Sequence, residues 1–530
     1  MIRLTNLPAP LDYTEASLRS AVEKKLSLRP GQLLSLALVR RSIDARDRRD
    51  VHFVLSLDLT AKDEASLLRK YRFLSPVSVP KSVPLPGASF RLPPLVVGAG
   101  PAGLFAALTL ARAGARPVLI ERGKPVEERS RDVEALASEG TLNPESNVQF
   151  GEGGAGAFSD GKLTCGIKSP FLREVLETFV AHGAPPEILT DQKPHIGTDR
   201  LKGVVSSIRR EIIRLGGAVL FETRMEKLLL REGAVAGALV SHLGETRELR
   251  TDTLLLCAGH SARDTMTALF DQGIRMERKP FAMGVRIEHP RTLIDRSQYG
   301  SFSGHPALGA ASYKLVCHTP DGRGVYTFCM CPGGYVIQSA SEPQGVAVNG
   351  MSFHARDGEN SNSALLVGVR PEDFGGDHPL EGFALQRKIE KAAWQASGGG
   401  YRAPAQRVED FLLRRASAGF GDVRPTCRPG VVPADLDAVL PSFITDNLRT
   451  GIRAMDAQLR GFALPDAVLT APETRSSSPV RLPRRPSGEA EGIDGLYPVG
   501  EGAGYAGGIV SSAVDGISAA RKAIEKTLSL

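Results

Sequence analysis

From Pro94 to Gly123 the chain reads PLVVGAGPAGLFAALTLARAGARPVLIERG, and few folds accommodate such a stretch. Leu95-Val96-Val97 is a short apolar run of the kind buried on both faces of a sheet. Gly98, Gly100 and Gly103 follow as G-x-G-x-x-G. Pro101 to Ala113 predicts a helix, with Pro in its first turn and Gly114 just past its end. Pro117 to Ile120 predicts the next strand, closed by Glu121. Strand, turn, helix and strand form the unit that binds dinucleotides. The first glycine permits the tight turn, the second lets backbone approach a pyrophosphate, and the third lets helix and strand pack closely. The helix N-terminus presents free N–H groups and a positive dipole end to phosphate. Ala99, Pro101 and Ala102 complete the turn. Glu121 lies 23 residues after Gly98, where an acid accepts hydrogen bonds from an adenosine ribose, and Arg122 follows it. An acid there disfavours a 2′-phosphate, which argues against NADP as the resident nucleotide.

A second glycine-rich stretch, NVQFGEGGAGAFSDGKL, covers residues 147–163. Glycines at 151, 153, 154, 156 and 161 suit neither helix nor strand and imply backbone running close to a ligand. Gly153, Gly154, Ala155, Gly156 and Lys162 are therefore expected to touch a cofactor, with Ser159 and Asp160 as further polar heads. The run from Thr253 to Ala258 predicts a buried strand, and Gly259-His260-Ser261 at its end points at the nucleotide crevice. No second G-x-G-x-x-G follows. The chain closes with Leu496 to Val499 as a strand, Gly500-Glu501-Gly502 as a turn, and Gly507-Gly508-Ile509 leading into a helix to Lys526.

The remaining organisation follows from composition. At 530 residues, two or three domains are expected. No run of 18 apolar residues suggests a membrane span, and the first residues lack a secretory signal. Six cysteines do not make a disulfide scaffold, which predicts a cytoplasmic protein. Residues 1–90 hold 15 Lys and Arg against 9 Asp and Glu, while the other 440 hold 51 against 50. The net charge of +7 is thus mostly an N-terminal property. Residues 1–80 read as strand, helix from Thr14, two strands around the charged turn 44–49, and a helix, which suggests a ferredoxin-like α+β domain. Arg40, Arg41, Arg46, Arg48 and Arg49 offer a basic hairpin, but no aromatic platform for RNA accompanies it. Nucleic-acid binding through residues 1–80 is therefore the lesser reading, and docking onto the main body or a partner the greater. Residues 74–94 read as a Pro-rich linker. Residues 280–430 contain many strand-like runs and few long helices, as expected of a partly antiparallel substrate or cap domain. Residues 471–488 read as a basic polar loop.

The C-terminal stretch resembles the second FAD motif of glutathione-reductase-like flavoproteins. That resemblance implies FAD, with Glu501 on the ribityl chain and Gly507, Gly508 and Ile509 facing pyrophosphate and flavin. Gly98, Gly100, Gly103 and Glu121 match the first motif of that superfamily and Ala258-Gly259 its central one. Met225 falls where backbone contact to adenine is usual. The whole chain more closely resembles a bacterial family of FAD-dependent (NAD/FAD-utilising) dehydrogenases, through VQFGEGGAGAFSDGKL, CAGHSARDT, KPFAMGVRIEHP, FCMCPGG, NGMSFHARDGENSNSA, ETRSSSPVR and VGEGAGYAGGI. The fold this implies is α/β: a Rossmann-like FAD-binding domain with an inserted mixed, β-rich substrate/cap domain and a small N-terminal α+β domain. The boundaries expected are 1–80 for the basic domain, 81–93 for the linker, 94–279 and 489–530 for the FAD-binding domain, and 280–488 for the cap.

Candidates for chemistry beside the flavin are Arg286, Glu288 and His289 in GVRIEHP, His260, and Arg475 with Ser476 to Ser478. Arg286 and Glu288 alternate along a strand, so an ion pair between them is the plain reading. Arg475 could hold an anionic substrate or balance the charge of reduced flavin, although a surface arginine in a basic loop is the commoner case. His289, before Pro290, reads as structural. Cys329 and Cys331 stand about 6.6 Å apart on an extended strand, near the upper limit for a disulfide. The other cysteines are scattered and no metal-ligand spacing appears. An FAD-dependent oxidoreductase acting on a small or medium organic substrate is the leading reading, with transient NADH or NADPH as reductant. A flavoprotein recruited to RNA or another macromolecule by its N-terminal domain is the alternative.

Overall fold

The computed structural model describes residues 1–77, 83–159 and 161–529. Five three-residue strands form a parallel sheet in the order Leu496–Pro498, Leu254–Leu256, Leu95–Val97, Val118–Ile120 and Ala218–Leu220. The central strands are wholly apolar because both faces are covered. The helices Pro101–Arg112 and Ile509–Ser529 pack on one face, beside Thr198–Arg214. Gly516 makes their contact possible, since a Cβ there would stand 2.2 Å from Ala102 O. An antiparallel sheet of Thr223–Arg231, Ala234–His242 and Glu245–Arg250, with the helix Arg263–Asp271, covers the other face through Met225, Leu228, Val235 and Met266. The strand expected over residues 253–258 ends at Leu256, and Cys257-Ala258 turns off into the crevice.

A seven-stranded sheet lies within residues 281–473, ordered Val316–His318, Gly324–Cys331, Asn360–Val369, Phe281–Pro290, Val468–Glu473, Ala403–Arg407 and Val431–Pro433. Only the last pairing is parallel. Strand alternation gives its two faces different characters. Val285, Ile287, Leu365, Val367 and Leu469 join one apolar core with the helix Ser442–Gln458. Arg286, Glu288, Asn360, Asn362 and Cys331 occupy the opposite face, all buried. Residues 280–430 hold one long helix, Glu381–Ala396 with 16 residues, in line with the few expected there, and Ser442–Gln458 follows beyond that stretch. The inward side of Glu381–Ala396 includes Gln386 and Glu390 beside Phe383 and Ile389, so its apolar stripe is interrupted in the sequence.

At the N-terminus four antiparallel strands run Leu33–Asp44, His52–Ala61, Ile2–Ala9 and Leu74–Pro76. Helices Glu15–Leu26 and Glu64–Lys70 pack on one face through Leu18, Val22, Leu26 and Leu67. This is the ferredoxin-like βαββαβ order. Thr14 caps the first helix, its hydroxyl accepting from the Ser17 N–H at 3.2 Å. Leu74–Pro76, expected as linker, is instead the fourth strand, and its proline is tolerated because the strand lies at an edge. Residues 78–82 of the linker lie outside the described residues. Beyond them the chain is strapped down: Ala88 N–H donates to Ala113 O at 2.9 Å, and Arg521 donates to Val83 O and Pro84 O at 3.0 Å.

Gly103→Ala would place a Cβ 1.8 Å from Gly98 O, against backbone that cannot yield. Overpacking of this kind costs about 1–3 kcal/mol. The variant is expected to melt several degrees below wild type without FAD, as read by circular dichroism.

Candidate functional site

Three glycine-rich stretches meet at the carboxyl ends of the parallel strands. Gly98 has φ +102°, and a Cβ on it would stand 2.8 Å from Cys257 O. Gly100 is less crowded, its nearest neighbour being Gly154 Cα at 3.8 Å. No side chain caps the helix that begins at Pro101, so Ala102 and Gly103 keep N–H groups without intrahelical acceptors. Such a helix start suits a pyrophosphate.

Glu121 is buried. Its Oε2 accepts from the Ala99 N–H at 2.8 Å, and its Oε1 from the N–H groups of Gly123 at 3.0 Å and Gly151 at 2.9 Å. A carboxylate offers about four acceptor positions, so one remains for a ribose hydroxyl. Arg122 stacks 4.1 Å from the Phe150 ring centroid and pairs with Glu145 at 3.0 Å and Asp264 at 2.9 Å. Beside it opens a cavity of about 510 Å³, with Lys124, Asn143, Ser146, Arg224 and Leu243 among its walls. Ser146 Oγ is buried there without a hydrogen-bond partner.

The glycine-rich loop is shaped by Arg129, which sequence reasoning missed. Its fully buried guanidinium donates to the carbonyls of Asn147 (2.8 Å), Val148 (2.9 Å), Gly151 (3.2 Å), Glu152 (2.6 Å) and Gly154 (2.9 Å). Burial pulls its pKa down to about 10, so it stays charged at neutral pH. Gly151 must lack a side chain, since a Cβ would stand 2.3 Å from Arg129 Cδ. Glu152 reaches back to accept from the Val126 N–H at 2.9 Å, capping the helix that carries Arg129. Gly153 N–H donates to Ala99 O at 2.8 Å. Ala155–Ala157 makes one 3-10 turn, and a Cβ on Gly156 would meet Ile509 Cγ1 at 2.7 Å. Lys162 leaves this loop toward the polar face of the large sheet, its Nζ 3.3 Å from Cys331 Sγ. Asp160 lies outside the described residues.

The C-terminal loop closes the cleft. Gly500 has φ +80°, and a Cβ on Gly502 would stand 2.0 Å from Ala258 O. Gly259, Gly507 and Gly508 are exposed, and nothing lies within 4 Å of a Cβ on Gly259 or Gly507. Glu501 borders the same opening. Its carboxylate has no hydrogen-bond or ion-pair partner among the described residues, and burial pushes its pKa up to about 8 against the pull of Lys279. Lys279, also missed, has its own pKa lowered by burial. A half-buried acid without a protein partner, next to open glycine backbone, fits the polyol chain of a flavin dinucleotide. Met225 has its side chain in the apolar core that also holds Phe150 and Ile120.

The structure redistributes the chemical candidates. Arg286 does not pair with Glu288. It donates to Glu473 at 3.1 Å and to Asn362 Oδ1 at 2.7 Å, because Glu473 faces it from the neighbouring strand. Glu288 instead accepts from the Thr426 hydroxyl at 2.6 Å, and burial raises its pKa. His289 faces the opposite, apolar side, bonded to Phe462 O at 2.8 Å, and burial brings it down to about 4. Arg475 is not a surface residue and does not offer its guanidinium to a ligand. It is buried and bidentate to Glu390 at 3.0 and 2.9 Å, with Ser261 and Ser341 on its remaining nitrogen. The stretch expected as a basic polar loop is largely buried, since Ser478 binds Gly502 O at 3.2 Å and Arg484 pairs with Asp515 at 2.8 Å. His260 is held neutral, at about 3, by burial and by Arg475 and Arg263. Its neighbour Ser261 donates to Gln149 Oε1 at 3.1 Å. None of the six cysteines is in a disulfide. Among the described residues no group of three or more His, Cys, Asp or Glu could hold a metal, and no helix is long and apolar enough to cross a membrane.

This cradle, with an acid at the ribose position and an open acid at the far end, defines a protein that binds FAD. Residues 91–135 match the FAD binding domain family, residues 280–476 a family described as FAD-dependent protein, C-terminal domain-like, and residues 1–60 a domain of unknown function. A protein of Clostridium beijerinckii, described only as uncharacterised, is 45% identical over 530 residues, 99% of each chain. The chain belongs to the family of that bacterial protein. Among solved structures it is similar to a geranylgeranyl bacteriochlorophyll reductase-like protein of Thermoplasma acidophilum, with 12% identity, 82% of this chain and 79% of that chain covered, and a TM-score of 0.37. A flavoprotein/dehydrogenase of Cytophaga hutchinsonii gives 12%, 83%, 78% and 0.35.

Two outcomes test the cradle. Gly100→Ala has room within the protein, so the FAD-free variant is expected to melt as wild type does while its FAD dissociation constant rises at least tenfold, measured by flavin fluorescence. Glu501 titrates near 4.5 in the unfolded chain and near 8 in the folded FAD-free protein. The unfolded state therefore loses its proton first, and stability falls as pH rises from about 5 to 8. Glu501→Gln is expected to remove that fall, raising the melting temperature of the FAD-free protein at pH 8 and leaving it unchanged near pH 4.

Proposed function

We propose that the protein is an FAD-dependent oxidoreductase acting on a small or medium-sized organic substrate. The observation that carries this reading is the half-buried Glu501 carboxylate, without a hydrogen-bond or ion-pair partner among the described residues, in the same loop as exposed Gly507 and Gly508 and next to Gly500, where a Cβ would stand 3.0 Å from Ala102 Cβ at the start of the Pro101 helix. FAD, when bound, supplies two-electron redox chemistry. The protein's own residues hold it. Gly98 to Gly103 and the N-terminus of Ile509–Ser529 face the pyrophosphate, Glu121 the ribose and Glu501 the ribityl chain. In this reading the chain divides into a Rossmann-like nucleotide unit, a cap over residues 280–488 and an N-terminal unit.

The substrate side is the polar face of the large sheet. Lys162 reaches it from the cofactor loop, and Arg286, Glu473 and Asn362 await there, with Asn362 Nδ2 buried and unpartnered. Burial raises the Glu473 pKa, which suits a group that carries a proton, while Arg286 holds the carboxyl in place. Nicotinamide nucleotide acts as a transient partner in this reading.

Recruitment to RNA has less support. Arg41 is engaged by Asp191, and Arg46 and Arg49 by Asp44 and Asp47.

The visible spectrum of the purified protein, followed by anaerobic addition of NADH and then NADPH, tests the reading. Flavin bands that bleach with NADH are expected. A yellow protein unmoved by either nucleotide points to direct reduction by the substrate. A colourless protein that FAD cannot reconstitute overturns the proposal.

A further inference from the structure

The segment from Thr190 to Gly197 joins two regions that the chain order keeps apart. On one side it extends the edge of the N-terminal sheet. The Arg41 N–H donates to Thr190 O at 2.8 Å, and the Gln192 N–H donates to Arg41 O at 3.0 Å. The Arg41 guanidinium pairs with Asp191 at 2.9 Å, both side chains being one-third exposed. On its other side the segment backs the cofactor loop. Leu163 N–H donates to Pro194 O and Ile196 N–H to Gly161 O, each at 3.0 Å, and Lys162 faces His195 in an antiparallel bridge. The approach is close, since a Cβ on Gly161 would stand 2.8 Å from Gly197 N.

The N-terminal hairpin rests on the main body as well. Val51 is 3% exposed within the apolar core of the large sheet, and a Cβ on Gly300 would meet Arg48 O at 3.0 Å. The basic turn is therefore partly a docking surface.

We propose that residues 1–77, of which 1–60 match a domain of unknown function, act as a clamp on the cofactor site. Their edge strand pins residues 190–192, and this segment in turn holds Gly161 to Leu163 in the shape that receives FAD. The proposal rests on the assignment of Gly153 to Gly156 and Lys162 to the FAD site. A glycine-rich loop has much conformational freedom to lose on binding. A support already fixed by strand pairing removes part of that cost before the cofactor arrives. Linkage then requires reciprocity: docking of the N-terminal unit and binding of FAD strengthen each other by the same factor.

The test uses the full-length protein and FAD itself. Asp191→Arg turns the attraction to Arg41 into repulsion, and the FAD dissociation constant is expected to rise about fivefold, the scale of one partly exposed ion pair. The exchanged pair, Arg41→Asp with Asp191→Arg, is expected to restore it. A defect confined to residue 191 would not be rescued from residue 41. Wild type supplies an independent readout: adding FAD should slow hydrogen exchange at the Arg41 and Gln192 amides. Unchanged FAD affinity in folded Asp191→Arg, a folded double variant without recovery, or Arg41 and Gln192 amides indifferent to FAD each overturns the clamp. Failure of wild type to bind FAD would instead overturn the cofactor site on which the clamp rests.

Discussion

The cofactor site depends on one buried cation. Residues 147–156 cannot form helix or strand, so their carbonyls have no regular partners, and burying them unsatisfied would be costly. Arg129 supplies donors to five of them from a single planar group. Glu121 does the converse, accepting from backbone N–H groups of the first glycine turn and of this loop. One cation gathers carbonyls and one anion gathers amides, and together they bring residues 98–103 and 147–156 into register. The glycines then serve as places where side chains are excluded so that this packing can close.

A second buried ionic group holds the opposite wall. Glu390, on the helix Glu381–Ala396, is gripped by Arg263 at 2.7 Å and by Arg475 at 2.9 Å, and the two arginines hold its carboxyl well below the usual carboxylate range. Arg263 follows Leu254–Leu256 of the parallel sheet, and Arg475 follows Val468–Glu473 of the large sheet. The cluster thus joins the nucleotide-binding sheet to the polar face that meets it. Removing one member would strand a charge, a loss of about 3–5 kcal/mol that exceeds what an intact buried pair contributes. Both clusters make the cleft rigid while leaving its glycine rim open.

Much of this was legible in the chain. The three-residue apolar strands, Gly98, Gly103 and Glu121 follow from local rules, because the strand, glycine turn, helix and acid of the dinucleotide unit lie within about 30 residues of one another. The N-terminal βαββα pattern was equally local. Arg129 was not legible, because an arginine in a helix rich in Arg and Glu reads as a solvated face. Arg475 misled for the same reason, since its burial depends on Glu390, 85 residues earlier. The Arg286–Glu473 pair, 187 residues apart, replaced the local pairing with Glu288 because strand neighbours, unlike strand periodicity, are set by topology.

The sequence by itself determined that the chain carries a dinucleotide site and where that site's backbone must bend, since glycine spacing and strand–helix alternation are encoded within about 30 residues. It also determined the basic character of the N-terminal segment. Only the tertiary structure decided which charges are buried, which acid stands open in the cleft, and that residues 190–197 link the N-terminal sheet to the cofactor loop. Those outcomes depend on desolvation and on long-range strand pairing, and both arise only once distant segments share one interior.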